Sequence, residues 1–96
     1  MSCAAPDQNL PAVAAPGATL IEGVVSASGE PVSGAYVRLH DSTGEFTAEV
    51  VSSDAGAFRF YAAPGTWELR ALSPRGNARG EVTADVGVTT TRLALA

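Results

Sequence analysis

Asp54-Ala-Gly-Ala-Phe-Arg-Phe-Tyr-Ala-Ala-Pro-Gly-Thr-Trp-Glu-Leu-Arg-Ala-Leu72 is the stretch around which this chain is organised. Two β-patterned runs flank Pro64-Gly65. In the first, Phe58 and Phe60 alternate with Arg59 and Tyr61; in the second, Trp67, Leu69 and Ala71 alternate with Glu68, Arg70 and Leu72. A two-residue period sends each set to its own face of a strand, and Pro-Gly is a turn signal. The stretch is therefore expected to be a hairpin whose apolar face carries Phe58, Phe60 and Trp67, half of the six aromatic residues, as the centre of the core.

Toward the N-terminus, residues 18–28 hold Thr19, Leu20, Ile21, Val24 and Val25 and read as a strand, with Gly23 marking a bend or bulge. Residues 29–34 form a Gly/Pro turn cluster. In 35–40, Ala35, Val37 and Leu39 alternate strictly with Tyr36, Arg38 and His40, the mark of a half-buried strand. Asp41-Ser-Thr-Gly44 turns the chain into 46–53, where Phe46, Ala48 and Val50 oppose Thr47, Glu49 and Val51. Beyond Leu72, residues 73–80 read as a polar loop. Residues 81–86 read as a strand with Val82, Ala84 and Val86 inward, and 88–95 as a closing Thr-rich strand after a break at Gly87. No 3.6-residue apolar period is sustained. About seven short strands separated by turn signals predict an all-β fold, an antiparallel two-sheet β-sandwich. The sandwich is expected over residues 18–96, behind an Ala/Pro-rich tail, 1–17, in which Pro6, Pro11 and Pro16 favour a flexible, extended chain.

Ninety-six residues with 46% hydrophobic content suffice for one domain with one modest core. The net charge is −4, and the six arginines are scattered among ten acids, which lacks the basic stripe that nucleic acid or an anionic membrane surface requires. Apolar runs fall far short of the ~20 residues of a membrane-spanning helix. Residues 1–17 have neither the basic nor the apolar region of a secretory signal. The single cysteine, Cys3, forms no intrachain disulfide and no multi-cysteine zinc site, so a reducing compartment, the cytoplasm, is the expected location.

Gly23-Val-Val25, Pro31-Val-Ser-Gly-Ala-Tyr-Val-Arg-Leu39, Gly56-Ala-Phe-Arg-Phe60 and Pro64-Gly-Thr-Trp67 together resemble the carboxypeptidase regulatory-like domain. That resemblance implies a prealbumin-like sandwich and says little about function, because such modules are joined to many unrelated proteins. A narrower resemblance, over nearly the whole chain, is to a small actinobacterial family, the SseC-like proteins, of unknown biochemical function. Val37-Arg-Leu39, Asp41-Ser42, Glu45-Phe-Thr-Ala-Glu-Val-Val51, Ala62-Ala-Pro-Gly65 and Leu69-Arg-Ala-Leu-Ser73 carry it, with a cysteine at the extreme N-terminus. This resemblance implies a link to sulfur metabolism through a rhodanese-type thiosulfate sulfurtransferase. The expected role is then that of a non-catalytic accessory or interaction protein, with a sulfur carrier or a generic self-associating or ligand-binding module as alternatives.

Candidate chemistry is sparse. Cys3 is the one strong nucleophile and the residue on which a carrier would hold a persulfide, but no cation lies near it in sequence to lower its pKa. His40 with Asp41 and Glu45 lacks the three or four convergent ligands of a zinc site, so no metal and no cofactor are expected. Tyr36, Arg38, Glu49, Arg59 and Tyr61 occupy outward positions and form the expected binding surface, tyrosine and arginine being the residue types of interface hot spots. Homo-oligomers are also expected, because the terminal strands offer sheet edges unguarded by lysine.

Overall fold

The computed structural model describes residues 17–96. Its strands are β1 (Thr19–Ala27), β2 (Glu30–Pro31), β3 (Tyr36–His40), β4 (Phe46–Val51), β5 (Ala57–Tyr61), β6 (Gly65–Ser73), β7 (Gly76–Ala84) and β8 (Gly87–Ala94). They build the expected all-β sandwich from two sheets. In the first, β1 is central, with β8 on one side and β5 on the other, and the short β2 folds back on the end of β1. The second runs β4-β3-β6-β7. Every ladder is antiparallel except β1–β8, which is parallel. Of the expected N-terminal tail, only Gly17 is among the described residues.

The 54–72 stretch is not a hairpin. β5 pairs with β1 in the first sheet, whereas β6 lies between β3 and β7 in the second, so residues 62–64 carry the chain from one sheet to the other. Proline and glycine signal a change of direction, and here Pro64, which has no N–H for a ladder, and Gly65, at φ 146°, change sheets. The two apolar sets still meet, through the core between the sheets: Phe58 and Phe60 come from one side, Leu69 and Ala71 from the other, and all four are buried. Trp67 differs from the expectation. It is half-buried at the rim, where it packs against the core and its indole Nε1 donates to the Ala63 carbonyl at 2.9 Å.

Three other readings change. Residues 73–80 are no loop: β6 and β7 form the long hairpin of the fold around the two-residue turn Pro74-Arg75, with Ser73 paired to Gly76. β7 is an edge strand, and little apolar side chain is needed to hold it, since Val82 and Ala84 are its buried members. Gly23 makes no bulge, because β1 keeps continuous register with β5 from Leu20 to Val24. Its missing side chain makes room for Phe58, whose Cζ would lie 2.5 Å from a Cβ built on Gly23. Val86 points outward, at the exposed corner that links β7 to β8.

Local chemistry closes the ends. Ser28 (φ 51°) and Gly29 (φ 81°) form the two-residue loop between Ala27 and Glu30, and positive φ at both central positions is the type I′ geometry that suits a right-twisted hairpin. The edges are also less open than the composition suggests. The Ala96 amide donates to the Asn77 carbonyl at 3.1 Å, tying the chain end after β8 to β7, and a register shift at Leu39/His40 interrupts the β3–β4 ladder.

Buried Ser52 ties the turn after β4 to the core. Its hydroxyl donates to the Val32 carbonyl at 2.7 Å and accepts from the amide of fully buried Ala35 at 2.9 Å. Ser52→Ala strands both partners, and a loss of about 1–3 kcal/mol is expected in urea melts.

Candidate functional site

The five outward residues do not form one surface. Tyr36, Arg38 and Glu49 lie on the outer face of the second sheet, whereas Arg59 and Tyr61 lie on the outer face of the first, on the opposite side of the sandwich. Arg59 is moreover buried, 8% exposed. Alternation assigns a residue to a face of its own strand, and only the strand pairing decides which faces coincide.

On the second sheet the register stacks side chains in rows. Val51, Tyr36 and Leu72 are cross-strand neighbours on β4, β3 and β6, and they are 48%, 53% and 43% exposed. A contiguous apolar row thus faces outward at the centre of a sheet. Two residues along the strands, Glu49, Arg38, Arg70 and Arg79 make a charged row. Arg38 Nε donates to Glu49 Oε2 at 2.7 Å. Beyond it lie Phe46, His40, Glu68 and Glu81. Phe46 is 56% exposed, with the Arg38 guanidinium 5.5 Å from its ring centroid and His40 meeting it edge-on at 6.0 Å. Phe46 was expected on the inward set of its strand; the bulge at Leu39/His40 puts it opposite His40 instead.

The charges here are organised by hydrogen bonds. Arg70 reaches Glu68 Oε1 at 2.7 Å and Arg79 Nε lies 3.3 Å from Glu68 Oε2. The Arg70 hydrogen bond, followed by the charges of Arg70, Arg79 and His40, holds the Glu68 carboxyl below the usual glutamate range. Asp41 serves its own turn: Oδ1 accepts from the Thr43 hydroxyl at 2.6 Å, the Thr43 amide at 2.9 Å and the Glu45 amide at 3.0 Å. The Thr43 hydroxyl bond leads in lowering its pKa. Both folded pKa values lie below their unfolded ones, so the stabilisation they provide is present above about pH 4 and is lost as pH falls through the folded values. Melts between pH 7 and pH 2.5 should show the midpoint falling only below about pH 4, with Asp41→Ala reducing that acid-dependent fall.

His40 faces neither solvent nor a ligand position. It is buried, its Nδ1 lies 3.1 Å from the Gly44 carbonyl oxygen, to which an Nδ1–H donates, and Nε2 is enclosed without a hydrogen-bond partner among the described residues. Among those residues no three histidine, cysteine or acidic side chains gather to hold a metal ion, and no helix is long and apolar enough to cross a membrane. Cys3 lies outside the described residues. Sequence reasoning placed Leu72 on the outward set of its own strand without joining it to the binding surface, and it grouped Phe46 with the apolar set of β4; for Leu72 the apolar Val51 on the outward set of β4 was the signal, since both flank Tyr36 on one face.

Comparison with known proteins gives a family without an assigned activity. The profile described as Protein of unknown function (DUF1416) matches residues 3–95. An uncharacterized protein of Mycolicibacterium smegmatis is 62% identical over 66 residues, 68% of this chain and 71% of that protein. Two uncharacterized Mycobacterium tuberculosis proteins, Rv0814c and Rv3118, are each 63% identical over 60 residues, 62% of this chain; the matched region spans 60% of their own length. Among solved structures, a DUF3823 family protein from Parabacteroides merdae superposes with a TM-score of 0.65 at 15% identity, covering 81% of this chain and 45% of that one. At that identity the likeness concerns the fold alone.

Proposed function

The chain belongs to the DUF1416 family of proteins of unknown function, and from that premise we propose that it is a non-catalytic interaction module that binds a protein partner through the outer face of its second sheet. One observation carries the reading: Val51, Tyr36 and Leu72 form a continuous exposed row bordered by the Arg38–Glu49 pair, with Phe46 on the far side of that pair. An aromatic and aliphatic centre with a polar, hydrogen-bonded rim is the anatomy of a protein interface. A non-catalytic role is supported by the two groups best suited to acid–base work, since His40 is enclosed and the Asp41 carboxylate is committed to its own turn.

The resemblance to SseC-like proteins supports a rhodanese-type sulfurtransferase as the partner and the cytoplasm as the place of work. Calorimetric titration of the full chain with such an enzyme tests this. Saturable binding is expected, weakened at least about tenfold by Tyr36→Ala and by Arg38→Glu, and unchanged by Tyr61→Ala on the opposite face. Absence of heat at tens of micromolar would remove the sulfurtransferase link. Equal losses from both faces would remove the assignment of the surface.

A further inference from the structure

We infer that residues 1–16 of this chain lie over the outer face of the first sheet and cover Leu20 and Arg59 there. The strand register defines that face. Tyr61, Leu20 and Val88 form one cross-strand row, and Arg59, Glu22 and Thr90 form the next. Ile21 and Val25 belong to the core, so by alternation Leu20 and Val24 point away from it. Leu20 is nevertheless 1% exposed and stands outside the core cluster, whereas Val24, on the same face of the same strand, is 38% exposed. Flanking strands do not account for this. Tyr36, at the centre of the equivalent row on the second sheet, is 53% exposed. Among the described residues no strand packs on the outer face of the first sheet, since β1 pairs with β2, β5 and β8 and the second sheet lies on its core side. Arg59, in the row beside Leu20, is buried as well.

The segment that leads into β1 has the place, the length and the composition for this role. Gly17, at φ 81°, stands just before β1, and a positive φ there lets the chain reverse onto the sheet. Residues 1–16 in extended, proline-rich form reach about 50 Å, more than the roughly 30 Å of β1. Their one charged side chain is Asp7, so the segment is suited to an apolar row. Leu10, Val13 and Pro16 recur at the three-residue period of a polyproline helix, which gathers them on one side to meet Leu20 and its neighbours. Such a backbone makes no internal hydrogen bonds, and its carbonyls can accept from a guanidinium withdrawn from water, as that of Arg59 is.

The test uses the ¹⁵N-labelled full chain with Cys3→Ser and Ala12→Cys, carrying a nitroxide spin label at position 12. Loss of amide signal intensity is expected at Val24, Thr90 and Arg92, and no loss beyond the reduced, diamagnetic control at Tyr36, Arg38 and Leu72 on the opposite face. Adding Leu10→Asp and Val13→Asp should restore the lost signals, because two carboxylates do not settle on an apolar row. Losses spread equally over both faces, or confined to the residues next to Gly17, would overturn the inference, as would losses that survive the two added carboxylates. An equimolar mixture of ¹⁵N-labelled chain without the nitroxide and unlabelled chain with it should show no loss; losses matching those of the single species would put the segment of a second copy on this face and overturn the inference too. None of these results bears on the partner-binding face, which the calorimetric titration tests separately.

Discussion

Phe58→Ala should destabilise the domain by about 3–5 kcal/mol in denaturant melts, toward the upper end of the range for buried aromatics. The ring is fully buried, lies beside Phe60 with centroids 6.1 Å apart, and occupies the space left by the missing side chain of Gly23. A cavity there is walled on one side by backbone. The β1 main chain at Gly23 is held in ladders to both β5 and β8 and carries no side chain that can swing into the void. The reciprocal substitution checks the same geometry. A Cβ at Gly23 would meet Phe58 Cζ at 2.5 Å and the Thr91 carbonyl oxygen at 2.7 Å, so Gly23→Ala alone also destabilises, by about 1–3 kcal/mol. With Phe58 already truncated, one of those two clashes is gone, and the double variant should cost less than the sum of the singles. Strict additivity would show that the ring does not occupy the Gly23 space.

Gly56→Ala should be nearly as damaging, for a backbone reason. Gly56 sits at φ +75° in the turn between β4 and β5, where an L side chain costs about 1–2 kcal/mol. A Cβ there would also stand 2.6 Å from the Val25 carbonyl oxygen and 3.1 Å from the Val32 amide nitrogen. The residue has little room to retreat. Its carbonyl accepts from the Val25 amide and its amide donates to the Ser53 carbonyl, both at 2.8 Å. Conformational strain and overpacking together predict a loss of about 2–5 kcal/mol. A melt within 0.5 kcal/mol of wild type, roughly the scatter of a neutral surface substitution, would show that this turn relaxes without cost.

These positions show how far a sequence of this kind can be read. The period of two located the inward residues of single strands well: Val37, Leu39, Phe58, Phe60, Leu69 and Ala71 are all buried. It did not say which strands share a sheet. Pro64-Gly65 carries the same local signal whether the chain folds back on its neighbour or crosses to the facing sheet, and the difference lies in long-range pairing with β1 and β3. The β6–β7 hairpin escaped notice because Gly76, Asn77 and Gly80 have low strand propensity, yet as part of an edge strand they need little of it. Arg59 looked solvated by alternation and is buried.

The candidate surface was legible in part for the same reason. Tyr36, Arg38 and Glu49 lie together because β3 and β4 are sequence neighbours that pair, so their alternation could be combined. Leu72 joins them only through the β3–β6 ladder, and Phe46 only through the bulge that shifts it onto the outer face. Arg59 and Tyr61 share the alternation pattern of Tyr36 and Arg38 but belong to the other sheet.

We propose that partner binding uses the outer face of the second sheet. Amide chemical shifts of the ¹⁵N-labelled chain, followed as a rhodanese-type sulfurtransferase is added, test it most directly. The prediction is that perturbed signals cluster at Tyr36, Arg38, Phe46, Glu49, Val51 and Leu72 while those of Glu22, Val24 and Tyr61 stay in place; perturbation confined to the first sheet, or none at saturating enzyme, would contradict it.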